Sequence, residues 1–335
     1  MEGARLTREA ALADCAASIR PVLPPLVSIG IPTFNRGALL DRAVQSALAQ
    51  TVTDLEVVIS DNASSDDTAE RCARWQERDP RVRIVRHATN IGPTANFNSL
   101  FSGFRGTYAM LLSDDDHLDP DYVATCVGQL DADPGLVCVA GTARYVRDGQ
   151  FIRSGALVAA DADRPAQRLR QYFGQPSDGP FYGVTRRAVL EAAAPMPNTL
   201  GNDWLQVGRI AVQGRIAMTD ATHVHRELDG TSASVGTILA TFGRSKAAAR
   251  VPHLVMAWAV FSDIGWRGAP YAGLGGRGPR LISACRAAPG VIDWPSLAWH
   301  LTAPTIERLR RWPATRWIAR AYDRLARALG AGQQA

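Results

Sequence analysis

Short apolar runs alternate with segments of helical period between Leu26 and Ala140, and this alternation limits the possible folds more than any other feature. The runs are LVSIGI (Leu26–Ile31), LEVVIS (Leu55–Ser60), VRIV (Val82–Val85), YAMLL (Tyr108–Leu112) and LVCVA (Leu136–Ala140). Between the first two, Leu39, Leu40, Ala43, Val44, Ala47 and Leu48 recur at helical spacing across Gly37–Gln50. Asp67–Arg78, Thr94–Phe104 and Pro120–Leu130 are predicted as further helices, with Asp67 as an N-cap and Glu70 three residues on. Strands that alternate with helices predict a parallel sheet covered on both faces. After about residue 150 the rhythm weakens. Residues 174–183 and 195–203 read as loops, and 236–335 as mostly helical, broken by a glycine-rich loop at Gly268–Pro279.

The first four runs each lead into a polar cluster. Pro32, Thr33, Phe34, Asn35 and Arg36 follow the first; Asp61, Asn62, Ser64 and Ser65 the second; Asn90, Gly92, Asn96 and Asn98 the third. After the fourth come Ser113 and three adjacent aspartates, Asp114, Asp115 and Asp116. Ligands of open parallel sheets bind outside the carboxyl ends of the strands, so these clusters converge on one crevice. Helix capping accounts for Ser64, Asp67 and Asp119, but not for three carboxylates side by side. Like charges so close repel, and a cation or a helix start would relieve them. A hard divalent ion, Mg2+ or Mn2+, suits carboxylate oxygens and is normally shared with substrate phosphates. Neither GxxxxGK[ST] nor GxGxxG follows a strand, so no glycine-rich cradle is expected to hold those phosphates.

The chain has 335 residues, 46% of them apolar, which is ample for a core. Its net charge of +5 is too small to require nucleic acid. Five scattered cysteines suit a reducing compartment better than a disulfide scaffold. The N-terminus carries Glu2, Arg5, Arg8 and Glu9 with no apolar signal core, and the apolar stretch Leu254–Ile264 is too short to span a bilayer. A cytoplasmic protein is expected. Arginines crowd the C-terminus (Arg308, Arg310, Arg311, Arg316, Arg320, Arg324 and Arg327), interleaved with Trp312, Trp317 and Tyr322. This segment reads as a helix packed on its own domain with a solvated basic face, or as an amphipathic helix peripheral to an anionic membrane.

VSIGIPTFNR, VVISDNASSDDT, NIGPTANFN and LLSDDDHLDPDY, in this order and spacing, resemble the nucleotide-sugar-binding half of the family 2, GT-A fold inverting glycosyltransferases. The likeness covers roughly Leu26–Tyr122 and continues more weakly to about Ser234. It implies a Rossmann-like mixed, mostly parallel α/β sheet with helices on both faces, plus a mostly helical C-terminal region. Residues 1–20 read as a short helix that the PVLPPL stretch from Pro21 ends, so an N-terminal helical extension over 1–25 is expected ahead of a catalytic domain over 26–235 and a helical region over 236–335. Within the catalytic domain, 26–122 would bind the nucleotide sugar and 123–235 the acceptor.

The resemblance assigns roles by position. Pro32, Thr33 and Asn35 match the loop around the nucleoside, and Asp61 the acidic residue that accepts from a uracil or thymine imide N–H. Asn62 departs from the more usual second aspartate. Asn90, Gly92 and Asn96 match a loop near the base and diphosphate. Asp114, Asp115 and Asp116 match the DXD-type motif, with the first toward the ribose and the last toward the metal. In NTLGNDWLQVGRIAVQG, Asp203 matches the catalytic base, while Asn202 stands where a Glu is usual; the lesser alternative is that Asp203 only caps that helix. Phe181 and Tyr182 would line a sugar pocket or pack in the core. His223 and His225 are expected on opposite faces of a strand, with His225 as a metal ligand and Arg226 as a phosphate partner.

The implied activity is transfer of a sugar from a UDP- or dTDP-sugar to a hydroxyl on a glycan, lipid-linked or small-molecule acceptor, with Mn2+ or Mg2+. A homodimer is compatible with the pattern. Two other readings stand beside it: a catalytically inactive sugar-nucleotide-binding module, and a sugar nucleotidyltransferase. The second is disfavoured because PTFNR occupies the position of its phosphate loop.

Overall fold

A computed structural model describes residues 24–147, 149–177, 179–228 and 252–292. The helix expected over 1–20, the boundary expected at 235/236 and the arginine-rich segment lie outside the described residues.

The N-terminal half follows the alternation. Strand β1 (Val27–Thr33) is followed by α1 (Gly37–Leu48), β2 (Leu55–Asp61), α2 (Thr68–Arg78), β3 (Val82–Arg86), α3 (Pro93–Phe101) and β4 (Tyr108–Leu111). Strands β1, β2 and β4 are buried at every residue, which is why they read as continuous apolar runs. Successive side chains still go to opposite faces. Val57 and Ile59 join Leu40, Val44 and Cys72 on one side, and Val58 joins Leu100, Phe101 and Phe104 on the other. The helix expected from Asp67 forms, but Asp67 makes no side-chain cap bond. Asp66 Oδ1 instead accepts from Thr68 N–H at 3.0 Å, and Asp67 pairs with Arg71 four residues on.

A two-residue strand β5 (His117–Leu118) precedes α4 (Tyr122–Ala132) and the long β6 (Leu136–Arg147). Then come β7 (Gln150–Ser154), α5 (Pro165–Gly174), β8 (Val184–Arg186), α6 (Arg187–Ala193), α7 (Asn202–Gln213) and β9 (Arg215–Glu227). Among the described residues the strands form one sheet in the order β3-β2-β1-β4-β8-β6-β9-β5, with β7 paired to β6. Pairing is parallel from β3 to β4 and between β6 and β9, and antiparallel elsewhere. The sheet is therefore mixed, and helices flank it.

Residues 252–292 are helical: α8 (Pro252–Trp266), a 3-10 turn at Ala269–Leu274, α9 (Arg277–Ala287) and a second 3-10 turn at Ala288–Val291. The loop expected at Gly268–Pro279 is thus mostly helical. Tyr271 and Leu274 anchor it by burial, and Tyr271 Oη donates to Asp263 at 2.7 Å. These helices share one apolar cluster with the sheet: Val260, Ile264 and Tyr271 belong with Val58, Leu100 and Leu111. Arg209 on α7 is fully buried and grips Asp263 on α8 through Nε and Nη2 at 2.9 and 2.6 Å. No helix among the described residues is long and apolar enough to cross a membrane.

Candidate functional site

The parallel register lines up the ends of the strands. Thr33 and Asp61, the last residues of β1 and β2, are direct partners. Leu112, just beyond β4, donates its N–H to Gly30 of β1, so the aspartates leave the sheet beside Thr33. Thr33 Oγ1 donates to Asp114 Oδ2 at 2.8 Å. The carboxyl ends of β1, β2 and β4 therefore bring Thr33, Asp61 and Asp114 together.

The cation that draws two of the aspartates together is an arginine. Arg36 Nη1 lies 3.0 Å from Asp114 Oδ1 and 2.8 Å from Asp115 Oδ2. Arg42 adds a 2.6 Å bond from Nη2 to the Asp115 carbonyl. The third aspartate turns the other way. Asp116 Oδ2 accepts from Tyr182 Oη at 2.6 Å, Oδ1 accepts from Glu227 N–H at 3.1 Å, and Arg226 Nε lies 3.5 Å away. Arg226 also sits over the Tyr145 and Tyr182 rings. Burial pushes the Asp116 carboxyl up to about 6, against the pull of Arg226. Burial likewise raises Asp114, opposed by Arg36 and Thr33.

Asp61 is fully buried. Its Oδ1 accepts from Ser64 N–H at 3.0 Å, but Oδ2 carries no hydrogen bond, although Arg86 Nε is 3.3 Å away. A buried carboxylate oxygen without a donor is costly unless something supplies one. Pro32 is buried at the end of β1. Asn35 adopts the left-handed conformation (φ 54°), and its Oδ1 accepts from Ser65 N–H at 2.7 Å, tying the β1 loop to the β2 loop. Asn62, the departure from a second aspartate, bonds Asn90 Oδ1 through Nδ2 and Ile91 N–H through Oδ1. Asn90 also accepts from Gly92 N–H, and Gly92 has φ 85° with open space around it. The four polar clusters are thus joined by their own side chains.

Asp203 lies in the first turn of α7, after Gly201 in the left-handed conformation (φ 72°). Burial raises its carboxyl, and the Trp204 N–H that reaches Oδ1 at 2.9 Å opposes the rise. Asn202 Nδ2 reaches Thr94 Oγ1 at 3.3 Å, linking this helix start to the start of α3. On β9, His223 and His225 do not face opposite ways. Residues two apart on a strand share a face. His223 Nδ1 and His225 Nε2 both bind Asp119, at 2.8 and 2.7 Å. Asp119 is therefore no cap; burial works against it, but the two imidazoles hold its carboxyl below its ordinary range. His225 stacks on His117 at 4.6 Å, and its Nε2 would reach a metal only by exchanging the Asp119 bond. His117 is pushed down to about 4 by burial and by its neighbours His225 and Arg42.

Tyr182 is neither a sugar platform nor plain core: it is buried and donates to Asp116. Phe181 packs edge-on against Phe97 and Tyr182. Sequence reasoning placed Arg36 in the first polar cluster and Tyr182 in a sugar pocket or the core, but not in these roles, and it missed the Glu227 N–H, a backbone group with no sequence signal. For a divalent ion, the donor set offers hard carboxylate oxygens on Asp115 and Asp116. Among the described residues no group of three or more His, Cys, Asp or Glu could hold a metal ion. An ion here would rest on one or two carboxylates and a diphosphate.

Residues 28–193 match the family model described as glycosyl transferase family 2. A chondroitin synthase of Escherichia coli is 41% identical over 132 residues, which is 39% of this chain and 19% of that protein. The GalNAc(5)-diNAcBac-PP-undecaprenol β-1,3-glucosyltransferase of Campylobacter jejuni is 28% identical over 168 residues, 50% of this chain and 53% of that one. The chain therefore spans well under two thirds of these relatives. Among solved structures, S. aureus TarS residues 1–349 with UDP-GlcNAc superposes at TM-score 0.53, with 14% identity, over 82% of this chain and 87% of that one. A mannosyltransferase of Pyrobaculum calidifontis, solved with GDP-Man and Mn2+, gives TM-score 0.50 and 19% identity over 92% and 86%. These similarities establish a GT-A-like fold.

Proposed function

We propose that this chain, which carries a family 2 glycosyltransferase domain, moves a sugar from a UDP- or dTDP-sugar to an acceptor hydroxyl with inversion at the anomeric carbon. One observation carries the donor assignment: Asp61, with a buried oxygen lacking a hydrogen bond, stands beside Thr33 and Asp114 at the shared strand ends. A uracil or thymine imide N–H supplies the missing donor. The complex of TarS with UDP-GlcNAc supports the nucleotide class.

Asp114, fixed by Thr33 and Arg36, faces the ribose side. Asp115 and Asp116 would hold Mn2+ or Mg2+; when bound, such an ion supplies Lewis-acid charge to the departing diphosphate. The Mn2+ complex of the mannosyltransferase supports that class of ion. Tyr182 and the Glu227 N–H orient Asp116, and Arg36 prevents Asp114 and Asp115 from repelling each other. Asp203 takes the acceptor's hydroxyl proton as the oxygen attacks the anomeric carbon and the bond to the diphosphate oxygen breaks. Its raised carboxyl is a better base than an ordinary aspartate.

A panel of UDP- and dTDP-sugars with Mn2+, read by nucleotide release and product mass, tests the reading. Transfer that stops with EDTA and in Asp203→Asn, while Asp203→Asn still binds UDP, is the expected result. Transfer that is indifferent to EDTA, or UDP binding unchanged in Asp61→Ala, would overturn it.

A further inference from the structure

A cleft of about 680 Å³ opens between α8 and the loop before α7. Trp258, Trp266, Leu254, Asn198, Thr199 and Arg267 are among its walls. Helix α8 is apolar on nearly all sides, a pattern that ordinarily means complete burial. Yet Trp258 is 62% exposed, Trp266 50% and Leu254 41%. Trp258 and Trp266 lie 6.0 Å apart, each against Phe261, so the indoles are braced. Large rings left open and buttressed from behind mark a binding surface.

The lining says what kind. A purely apolar groove would suit a helix or lipid tails, but here indole faces stand among an amide, two hydroxyls and a guanidinium. Apolar faces combined with a few polar groups are what a pyranose presents in return: a C–H face and a rim of hydroxyls. The acid in the cleft, Asp263, is buried and neutralised by Arg209 and Arg267, so the accessible charge is the half-exposed Arg267. The cleft wall is also close to Asp203 along the chain. Thr199 is four residues from Asp203, a reach of at most about 14 Å. Met256 of α8 packs against Gly201 between them.

We propose that this cleft is a glycan subsite, in which Trp258 and Trp266 hold distal sugars of an oligosaccharide acceptor whose terminal hydroxyl reaches Asp203. This rests on the transferase reading, but binding alone tests it. Hexasaccharides of chitin and hyaluronan, one neutral and one acidic, would be titrated into the full chain by calorimetry and followed by saturation-transfer NMR. At least one should bind, more tightly than its disaccharide. Trp258→Ala and Trp266→Ala should each weaken that binding tenfold or more, while Trp258→Phe keeps most of it. UDP affinity and melting temperature serve as folding controls in every variant. No hexasaccharide binding at millimolar concentration, or binding unaffected in both alanine variants, overturns the proposal. So does an alanine variant whose only effect is loss of self-association or of binding to anionic vesicles. Failure of UDP binding in the unmodified chain would instead indict the transferase reading.

Discussion

Asp116 is ionised at neutral pH only at a cost, because its folded carboxyl titrates near 6 and an unfolded aspartate near 3.8. Its folded form prefers the proton, so stability from this group rises as pH falls from about 6 toward 4. The cost is fully present above about pH 6 and falls away as pH drops toward the unfolded value. Asp116→Asn should therefore raise the melting temperature of the metal-free protein at pH 7, with the gain shrinking at pH 5, while removing transfer activity. His117 has the opposite sign. It refuses a proton until about pH 4, whereas an unfolded histidine accepts one near 6.5. Its neutral burial loses stability as pH falls through that window. Melting curves of His117→Phe should gain more on going from pH 7 to 5 than those of the unmodified chain. Arg36 offers a third check. Arg36→Gln leaves Asp114 and Asp115 buried without their counter-charge, a loss of about 3–5 kcal/mol. Mn2+ should restore part of the lost melting temperature in that variant; no recovery would argue that Asp115 does not hold the ion.

At the scale of elements, the two ends of the sheet do different work. The carboxyl ends gather Thr33, Asp61 and Asp114. The opposite end holds Glu56, buried and bonded by Ser28, Arg83 and Arg105. Glu56→Ala leaves the Ser28 hydroxyl and the Arg105 N–H without their acceptor and should cost about 1–3 kcal/mol in denaturant melts yet leave UDP affinity within a factor of two; a large affinity loss would mean the ends are coupled. The first strands and helices were legible because full burial makes continuous apolar runs and covering helices keep their period. The short β5 and β8 were not, since two or three residues show no periodicity. The turn at Ala269–Leu274 was misread because glycine and proline suggest a loop, while burial of Tyr271 and Leu274 dictates the outcome. In the site, residue types and strand ends could be read, but not pairings. Nothing in the sequence says that Arg36 bridges Asp114 and Asp115, that Tyr182 serves Asp116, or that His225 is engaged by Asp119, because those depend on side-chain direction between distant elements.

Across the whole molecule, the helices after residue 252 are part of the folding unit. Val260, Ile264 and Tyr271 share a core with strand residues, and Arg209 would lose its counter-charge without Asp263. A chain ending at Glu227 should lose its cooperative thermal transition rather than survive as a free domain, as monitored by circular dichroism. The same helices frame the tryptophan cleft, so fold closure and the proposed glycan contact are tied to one segment.

In the proposed reaction the carboxylate corner at the strand ends receives a nucleotide diphosphate with a divalent ion. Crystals soaked with UDP and Mn2+, with data collected at the manganese edge, test this directly. An anomalous peak about 2.1 Å from an Asp115 or Asp116 oxygen, with the uracil imide against Asp61 Oδ2, is the predicted result. Nucleotide bound elsewhere, or bound there with no manganese on either aspartate, would contradict it.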